Sequence, residues 1–254
     1  MLSKIEISDA FTAHSERLAY GISIDGKVVE SKNSGQPFPS ASVIKAFLLF
    51  YTMKNREGFK DYIETSKLKV TDDSIMNFFV NEKIPLEASL SIMISISDNC
   101  IANYIIDTIG MDKLNLFFKL EGFKHTRVER NFLDFDAQKK GMENTICVDD
   151  VFLLLEKVFY TNSMKEKEKS LFDSIMKRQF DRSKCNLYLP ESIQTGGKSG
   201  TLNNVWNDFI YFKHDNKIIS VCFLSHDLPI ILSRELISSY TYYSIRDILG
   251  YMPI

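Results

Sequence analysis

The chain has 254 residues, of which 44% are hydrophobic and 25% are charged, and its formal net charge at pH 7 is −2. This composition is typical of a globular protein with room for one large domain or two closely packed lobes. A nearly neutral chain offers no general electrostatic attraction to nucleic acid or to an anionic membrane. No apolar run approaches the roughly 20 residues of a membrane span. We therefore expect neither kind of partner.

The N-terminus and the cysteines bear on the cellular compartment. The first residues, Met-Leu-Ser-Lys-Ile-Glu-Ile, contain no basic region followed by an apolar stretch, so a chain that natively starts at Met1 is predicted to be cytoplasmic. A protein whose signal peptide had been removed would look the same and would be secreted or periplasmic. The cysteines are Cys100, Cys147, Cys185 and Cys222. Their wide spacing, like that of the histidines, predicts no metal, no cofactor and no disulfide.

Strand signals begin near the N-terminus. Residues 7–17 can form a short helix, and the strand-like runs Leu18–Ile24 and 27–30 then flank Asp25-Gly26. Asp-Gly between two such runs is a strong β-hairpin signal.

The middle of the chain is predicted to be helical. Residues 61–122 show helical periods and no convincing strand, and residues 125–144 are irregular and charged, which indicates a long and functional loop. Helices are predicted over 42–55, 85–96, 100–109, Met111–Leu120, 148–160 and 164–178.

Strand signals return after Gly196. Residues 207–213 and Lys217–Ser225 are strand-like, and Ser233 is predicted to cap a final helix that ends at Leu249. The simplest architecture is an α/β (α+β) fold with an antiparallel sheet built from both chain ends and flanked by the terminal helices. We expect residues 1–38 plus 190–254 to form this α/β lobe, residues 39–189 to form an inserted helical lobe, and the site to lie between the two.

A candidate nucleophile lies at the start of the first helix of this middle region. Pro39 and Ser40 indicate a helix start, and Ser42 and Lys45 are three residues apart, so they share one face. A serine beside an amine that can take its proton has the requirements of an activated nucleophile. Ser-x-x-Lys also occurs at Ser66 and Ser174, so this spacing alone is weak.

Two further motifs follow in order. They are Ser97-Asp98-Asn99 and Lys198-Ser199-Gly200. Ser-x-x-Lys, Ser-Asp-Asn and Lys-Thr-Gly together mark class A β-lactamases and penicillin-binding proteins. The chain resembles this superfamily of serine hydrolases, and class A β-lactamases most closely, over nearly its whole length. Ser199 stands where the motif has threonine, which keeps the hydroxyl.

The resemblance implies a role for each motif residue. Ser42 would be acylated, Lys45 would take its proton, and Ser97 would pass a proton to the leaving nitrogen. Asn99 would hold Lys45 and a substrate amide. The substrate carboxylate would be bound by Lys198, Ser199 and Thr201, and the backbone N–H groups of Ser42 and Thr201 would form the oxyanion hole. Asp98 would brace its turn.

The loop departs from the family pattern, in which a glutamate activates the deacylating water. If Arg130 matches the family arginine, the glutamate position is Phe132 and the family asparagine position is Asp136. If Arg127 matches instead, Glu129 takes the glutamate position. The first alignment is favoured because it preserves the distance to Asn144. The first alignment leaves no base at the usual position, and Asp134 or Asp136 is then the candidate substitute, whereas Glu129 is the candidate base in the second alignment. The family's carboxylate-binding arginine after the next strand is also missing, since Trp206 and Asn207 stand there.

Three functions follow from this reading. The first is a monomeric β-lactamase-like serine hydrolase that acylates at Ser42 and hydrolyses β-lactam amides, as in antibiotic resistance, either slowly or through an unusual base. The second is a penicillin-binding, peptidase-like or esterase-like protein that acts on another acyl substrate, such as a D-Ala-D-Ala peptide. The third is a non-catalytic β-lactam sensor.

Overall fold

A computed structural model describes residues 1–71 and 73–250. The strands are β1 Leu18–Ile24, β2 Lys27–Lys32, β3 Phe38–Pro39, β4 Tyr62–Glu64, β5 Lys83–Pro85, β6 Thr145–Ile146, β7 Gly196–Leu202, β8 Val205–His214 and β9 Lys217–Ser225. The helices are α1 Lys4–Ala13, α2 Lys45–Lys54, α3 Leu86–Ser95, α4 Asn99–Ile109, α5 Met111–Leu120, α6 Phe135–Lys139, α7 Val148–Phe159, α8 Glu166–Met176 and α9 Ile230–Leu249.

Both chain ends contribute to one antiparallel sheet, as predicted. Its strand order is β2-β1-β9-β8-β7, so the N-terminal hairpin pairs with the C-terminal strands through β1 and β9. The turn residues Asp25 and Gly26 have φ angles of 50° and 75°. These left-handed conformations match the twist of a tight hairpin and explain the Asp-Gly signal. The predicted fold class is confirmed.

Two hydrophobic cores lie on opposite sides of this sheet. The larger core joins the sheet to the helices of residues 45–176, and the smaller core joins it to the terminal helices α1 and α9. Helix α2 lies at the centre of the larger core, where its residues from Lys45 to Met53 are all buried. A helix that is apolar on every side can be stable only in such an interior position.

Two local predictions were wrong. Residues 61–122 contain the short pair β4 and β5, whose three-residue strands are too brief to show an alternating pattern. The final helix begins at Ile230 after Pro229, and Ser233 is buried inside its first turn, where the Ser233 N–H donates to the Pro229 carbonyl at 2.9 Å. Proline presets a helical φ at a helix start, so no side-chain cap is needed.

Within the described residues, no helix is long and apolar enough to cross a membrane.

Candidate active site

Ser42 lies in a tight turn that leads into α2. Residues Ala41–Ile44 form one turn of 3-10 helix, and Ala41 has a φ of 45°, so the backbone bends sharply before the serine. The turn is anchored on both sides, because the Ser40 N–H donates to the Asn144 carbonyl and the Asn207 amide donates to the Pro39 carbonyl, each at 2.7 Å. Ser42 is half-buried, which leaves its hydroxyl accessible from the cleft.

Lys45 is completely buried one turn after Ser42. Its ammonium group donates to the Ser97 carbonyl at 2.5 Å, to Ser97 Oγ at 3.1 Å and to Asn99 Oδ1 at 2.7 Å. Burial, reinforced by the charge of Lys198, holds the pKa of Lys45 well below its ordinary value, although the Asp98 and Asp73 carboxylates oppose this shift. A lysine with a lowered pKa can be neutral at ordinary pH and accept a proton.

The Ser97-Asp98-Asn99 turn presents its side chains to Lys45 because of its backbone. Ser97 has a φ of 62°, and Asp98 caps α4 by accepting the Ile101 N–H at 3.1 Å. The same Asp98 carboxylate accepts the Ser74 hydroxyl at 2.7 Å. Asp98 therefore braces the turn, and its neighbours face the cleft.

Strand β7 forms the opposite wall of the cleft. Lys198 is buried, and its ammonium donates to the Ser199 carbonyl at 2.8 Å. Burial, followed by the charge of Lys184, lowers the pKa of Lys198 to about 7, while Asp208 and Asp181 oppose the shift.

Gly200 lets β7 approach the nucleophile. A Cβ atom added at Gly200 would lie 2.9 Å from the backbone nitrogen of Ser42 and 2.9 Å from Ala41 Cβ. Real side chains essentially never make such contacts, so only glycine permits this spacing. The strand residue after this glycine is Thr201, which lines the cleft together with Ser42.

The aromatic ring of Phe132 lies beside Lys45 and forms a third side of the site. The Phe132 ring centroid is 4.4 Å from Lys45 Nζ, and the side chain is only 9% exposed. Asn103 fixes the Phe132 backbone in both directions, because the Phe132 N–H donates to Asn103 Oδ1 at 2.7 Å and Asn103 Nδ2 donates to the Phe132 carbonyl at 3.1 Å. The ring therefore has a defined position.

These elements enclose a cleft of about 540 Å³ between β7 and the Ser97 turn. It brings together Ser42, Ser97, Asn99, Lys198, Ser199 and Thr201. Lys45 contacts two of these residues from below. The predicted catalytic and binding residues are thus brought to one place, and their chemical roles stay predictions.

Comparisons with known proteins agree with this geometry. A model of the β-lactamase enzyme family matches residues 5–238. The chain belongs to this family. A search of curated protein sequences gave no match.

Solved structures with this fold are similar over nearly the whole chain. A β-lactamase from Sphaerobacter thermophilus DSM 20745 is 20% identical, with a TM-score of 0.82, and the match covers 99% of this chain and 100% of that one. A class A β-lactamase representative from Bacteroides cellulosilyticus DSM 14838 is 19% identical with a TM-score of 0.80, covering 97% and 98%. The protein PBP-A is 19% identical with a TM-score of 0.79, covering 97% of each chain. These likenesses show that the chain has the β-lactamase fold over nearly its whole length.

The structure chooses between the two alignments of the loop. Phe132, rather than Glu129, faces Lys45, which is the arrangement expected when Arg130 matches the family arginine. Glu129 is exposed, and its N–H bonds to Asn144 Oδ1 at 2.8 Å. Of these two side chains, the phenyl ring is therefore the one that lies beside Lys45.

The other two candidate bases point away from Ser42. Asp134 caps α6 by accepting the Ala137 N–H at 2.9 Å, and Asp136 is 86% exposed and pairs with Lys139 at 3.4 Å. Of the described cavities that Ser42 lines, neither is lined by Glu129, Asp134 or Asp136. Asp134 and Asp136 lie further along the loop than Phe132, and their carboxylates face solvent. We therefore do not assign the base role to them.

Lys184 and Glu143 are among the charged residues near the site that were not predicted from the sequence. The buried ammonium of Lys184 donates to the Gly200 carbonyl at 2.7 Å, to Thr201 Oγ1 at 2.8 Å and to the Asn207 carbonyl at 3.2 Å. It therefore supports β7 from behind and adds positive charge there. Lys184 stands in an irregular segment, far from any motif, and its spacing in the sequence gave no signal.

The second unpredicted residue closes the long loop. Glu143 pairs with buried Arg130 at 2.8 Å and also accepts from Gln138 Nε2 at 2.8 Å. Asn144 adds a bond by accepting the Arg130 N–H at 3.1 Å. The loop that carries Phe132 is therefore tied at its base. An arginine and a glutamate thirteen residues apart in an irregular loop have no periodic signature, so only the structure reveals the pair.

Proposed function

We propose that Ser42 is acylated by β-lactams and that the resulting acyl-enzyme is released slowly. The observation that carries this proposal is the Phe132 ring, 4.4 Å from Lys45 Nζ, at the place where the family has its deacylation base. Acylation and deacylation need different groups, so one half of the cycle can be intact when the other is impaired.

The proposed acylation uses groups that line the cleft or contact its lining residues. Neutral Lys45 accepts the Ser42 proton as Ser42 Oγ bonds to the lactam carbonyl carbon, and the carbonyl electrons move onto oxygen. The N–H groups of Ser42 and Thr201 stabilise this oxyanion, and such donors each contribute roughly 3–4 kcal/mol. The carbon–nitrogen bond then breaks.

The proton of Ser42 ends on the leaving nitrogen. Ser97 Oγ donates its own proton to that nitrogen and recovers one from the Lys45 ammonium across their 3.1 Å hydrogen bond. Lys45 is neutral again when the acyl-enzyme is complete. The sequence of transfers balances without any group from outside the cleft.

Deacylation lacks an equivalent route. A phenyl ring accepts no proton. The small cavity of about 80 Å³ beside Ser42 is lined by Phe132, Leu133 and Phe135 and also by Glu143, whose carboxylate is already paired with Arg130 at 2.8 Å. A water held there would lose the general base that typically contributes 10²–10⁴-fold in rate. Hydrolysis of the ester is therefore expected to be slow.

The test is a burst experiment with a chromogenic cephalosporin, followed at the same time by intact-protein mass. We expect a burst of about one equivalent per protein and a mass increase that maps to Ser42, with a very slow later phase. Ser42→Ala removes both signals, and Ser66→Ala, which lies outside the cleft, changes neither. Labelling that survives Ser42→Ala, or the absence of any burst, would overturn the proposal.

A second candidate uses the same site on another acyl substrate, such as a peptide or a simple ester. The same Phe132 geometry favours this candidate. A protein whose β-lactam acyl-enzyme is hydrolysed slowly can still turn over another substrate, if a nucleophile other than a base-activated water attacks that acyl-enzyme. Rapid turnover of simple esters or D-Ala-D-Ala peptides, with no burst from cephalosporin, would favour this second candidate.

A further inference from the structure

Two carboxylates, Asp73 and Asp181, line the cleft together with Ser42. The cleft's cations, Lys45 and Lys198, are both buried, whereas Asp73 is exposed and Asp181 is partly exposed. A substrate that approaches the mouth of the cleft therefore meets carboxylates before it meets lysines.

The charge of Asp181 is already compensated. Its Oδ1 accepts the Ser183 N–H at 2.9 Å and the Ser183 hydroxyl at 2.6 Å, and its Oδ2 lies 3.8 Å from the ammonium of Lys184. Because Lys184 is buried on the same side, this pair is held in place and contributes little net field to the cleft.

Asp73 forms no such ion pair within the described residues, although its carboxylate acts at longer range on buried Lys45. Its carboxylate accepts the Thr71 hydroxyl and the Asn99 amide, the latter at 2.9 Å. Across the described residues, no lysine, arginine or histidine nitrogen comes within the 4.0 Å of an ion pair with Asp73. The nearby cations of the same segment are occupied, since Lys67 pairs with Glu64 and Lys69 pairs with Asp107, each at 2.9 Å.

Asn99 connects this carboxylate to the reacting centre. Its Oδ1 accepts from Lys45 at 2.7 Å, and its Nδ2 donates to Asp73 at 2.9 Å. One amide hydrogen of Asn99 is left for the acyl side of a substrate. A group attached next to that acyl carbonyl would lie close to the Asp73 carboxylate.

We propose that Asp73 is a specificity-determining residue that favours acyl donors with a cationic group, such as an ammonium, next to the acyl-side amide. This inference rests on the proposed acylation of Ser42. It adds that the substrate is recognised at both ends, with its carboxylate bound near Lys198 and its cation bound at Asp73. An anionic group at the same position is repelled.

The test compares three penicillins that share one bicyclic nucleus and a phenylacetamido side chain. The α carbon of that side chain carries an ammonium in ampicillin, a hydrogen in benzylpenicillin and a carboxylate in carbenicillin. We expect the second-order rate constant of acylation, measured by intact mass at low ionic strength, to fall at least about fivefold at each step, as for charges a few ångströms apart near a protein surface.

Three variants separate charge from structure. Asp73→Asn brings the three rate constants within about twofold of one another, and Asp73→Glu restores the order because it restores the charge. Asp112→Asn makes the same change of charge on α5, where the carboxylate is exposed and does not line the cleft, and it keeps the wild-type order. High salt compresses the wild-type order, since an exposed interaction is screened.

The outcomes distinguish this inference from the proposed function. Equal acylation by all three penicillins, or an order that survives Asp73→Asn, overturns the role of Asp73 and leaves acylation at Ser42 intact. If none of the three penicillins acylates the protein, both proposals fail together. Circular dichroism of each variant identifies a loss of folding, and the Asp73→Glu result and the salt series then decide the question without Asp73→Asn.

Discussion

Lys45 and Lys198 are both buried at the cleft, yet the proposed chemistry needs them in opposite protonation states. Lys45 must be neutral to accept the Ser42 proton, and Lys198 must be charged to hold a substrate carboxylate. Burial lowers the pKa of both lysines, and for Lys198 the value is about 7. The two requirements are met together only within a limited range of pH.

The first prediction concerns the pH dependence of acylation. The rate constant for acylation of the free protein should fall as pH rises through about 7, because Lys198 loses its proton there. It should also fall once the pH is low enough to protonate Lys45, whose pKa burial holds well below its ordinary value. Stopped-flow acylation with a chromogenic cephalosporin from pH 5 to 9 measures both limbs.

A substitution tests whether the upper limb belongs to Lys198. Lys198→Met should lower the rate constant at pH 6 by about tenfold or more, since a charge-assisted bond to the substrate carboxylate is worth on the order of 1.5–3 kcal/mol. It should also abolish the fall near pH 7. A fall near pH 7 that remains in Lys198→Met would assign that limb to another group.

Phe132 carries the second prediction. Phe132→Glu places a carboxylate beside Lys45, where it can activate a water, so the acyl-enzyme should break down about 10²-fold faster or more. The first-order regeneration of free protein, followed by intact mass, gives this rate constant. Phe132→Gln is the matched control, because glutamine has the shape of glutamate without a basic carboxylate. The breakdown rate of its acyl-enzyme should stay within about threefold of the wild-type rate. Equal rates for the Glu and Gln variants would remove Phe132 from the explanation.

At the scale of elements, the close contact of β7 with the Ser42 turn sets the spacing of the two N–H groups proposed to form the oxyanion hole. Gly200→Ala puts a methyl group 2.9 Å from the Ser42 nitrogen, so the strand must move away and the two N–H donors separate. We expect acylation to slow by 10²-fold or more, comparable to the loss of one oxyanion donor. Gly58→Ala is the control, since a Cβ atom there meets nothing within 4 Å. Unchanged acylation in Gly200→Ala would contradict this role.

Elements with strong local signals were predictable from the sequence. Helix α5 lies between Gly110 and Gly122, and its predicted bounds, Met111–Leu120, are those observed. Strand β9 is likewise observed over Lys217–Ser225, as predicted. By contrast, β4 and β5 are short strands whose pairing depends on tertiary contacts, and the start of α9 was misplaced because Pro229 rather than Ser233 precedes its first turn.

At the scale of the whole molecule, the smaller core stabilises the fold at a distance from the cleft, so its effect on stability can be measured separately from acylation. Phe11 of α1 is 8% exposed and stacks on Tyr20, with ring centroids 4.4 Å apart, in the smaller core away from the cleft. Phe11→Ala should therefore lower the free energy of unfolding by about 3 kcal/mol or more. Acylation at 25 °C should change by less than twofold.

Urea denaturation and burst kinetics measure these two effects separately. Ile5→Ala is the matched control on the same helix, since Ile5 is 74% exposed and its truncation removes little buried area. A large loss of acylation in folded Phe11→Ala would mean that the terminal helices influence the cleft directly.

The site residues that belong to sequence motifs were predictable. The site residues that only tertiary packing brings to the cleft were not. Ser42, Ser97 and Lys198 belong to three short motifs that occur in the same order as in the β-lactamase family. Their position in one cleft could therefore be expected. Lys184 reaches β7 from an irregular segment, and Asp73 reaches Asn99 from another loop. Such contacts depend on tertiary packing and leave no pattern in the sequence.

The lifetime of the acyl-enzyme is the most direct measure of slow deacylation at Ser42. The wild-type protein is acylated with benzylpenicillin, freed of excess ligand by rapid desalting, and followed by intact mass at pH 7. The Phe132 geometry predicts an adduct on Ser42 that persists for hours. Return to the unmodified mass within seconds would mean that another group activates the water, and it would contradict the account given for Phe132.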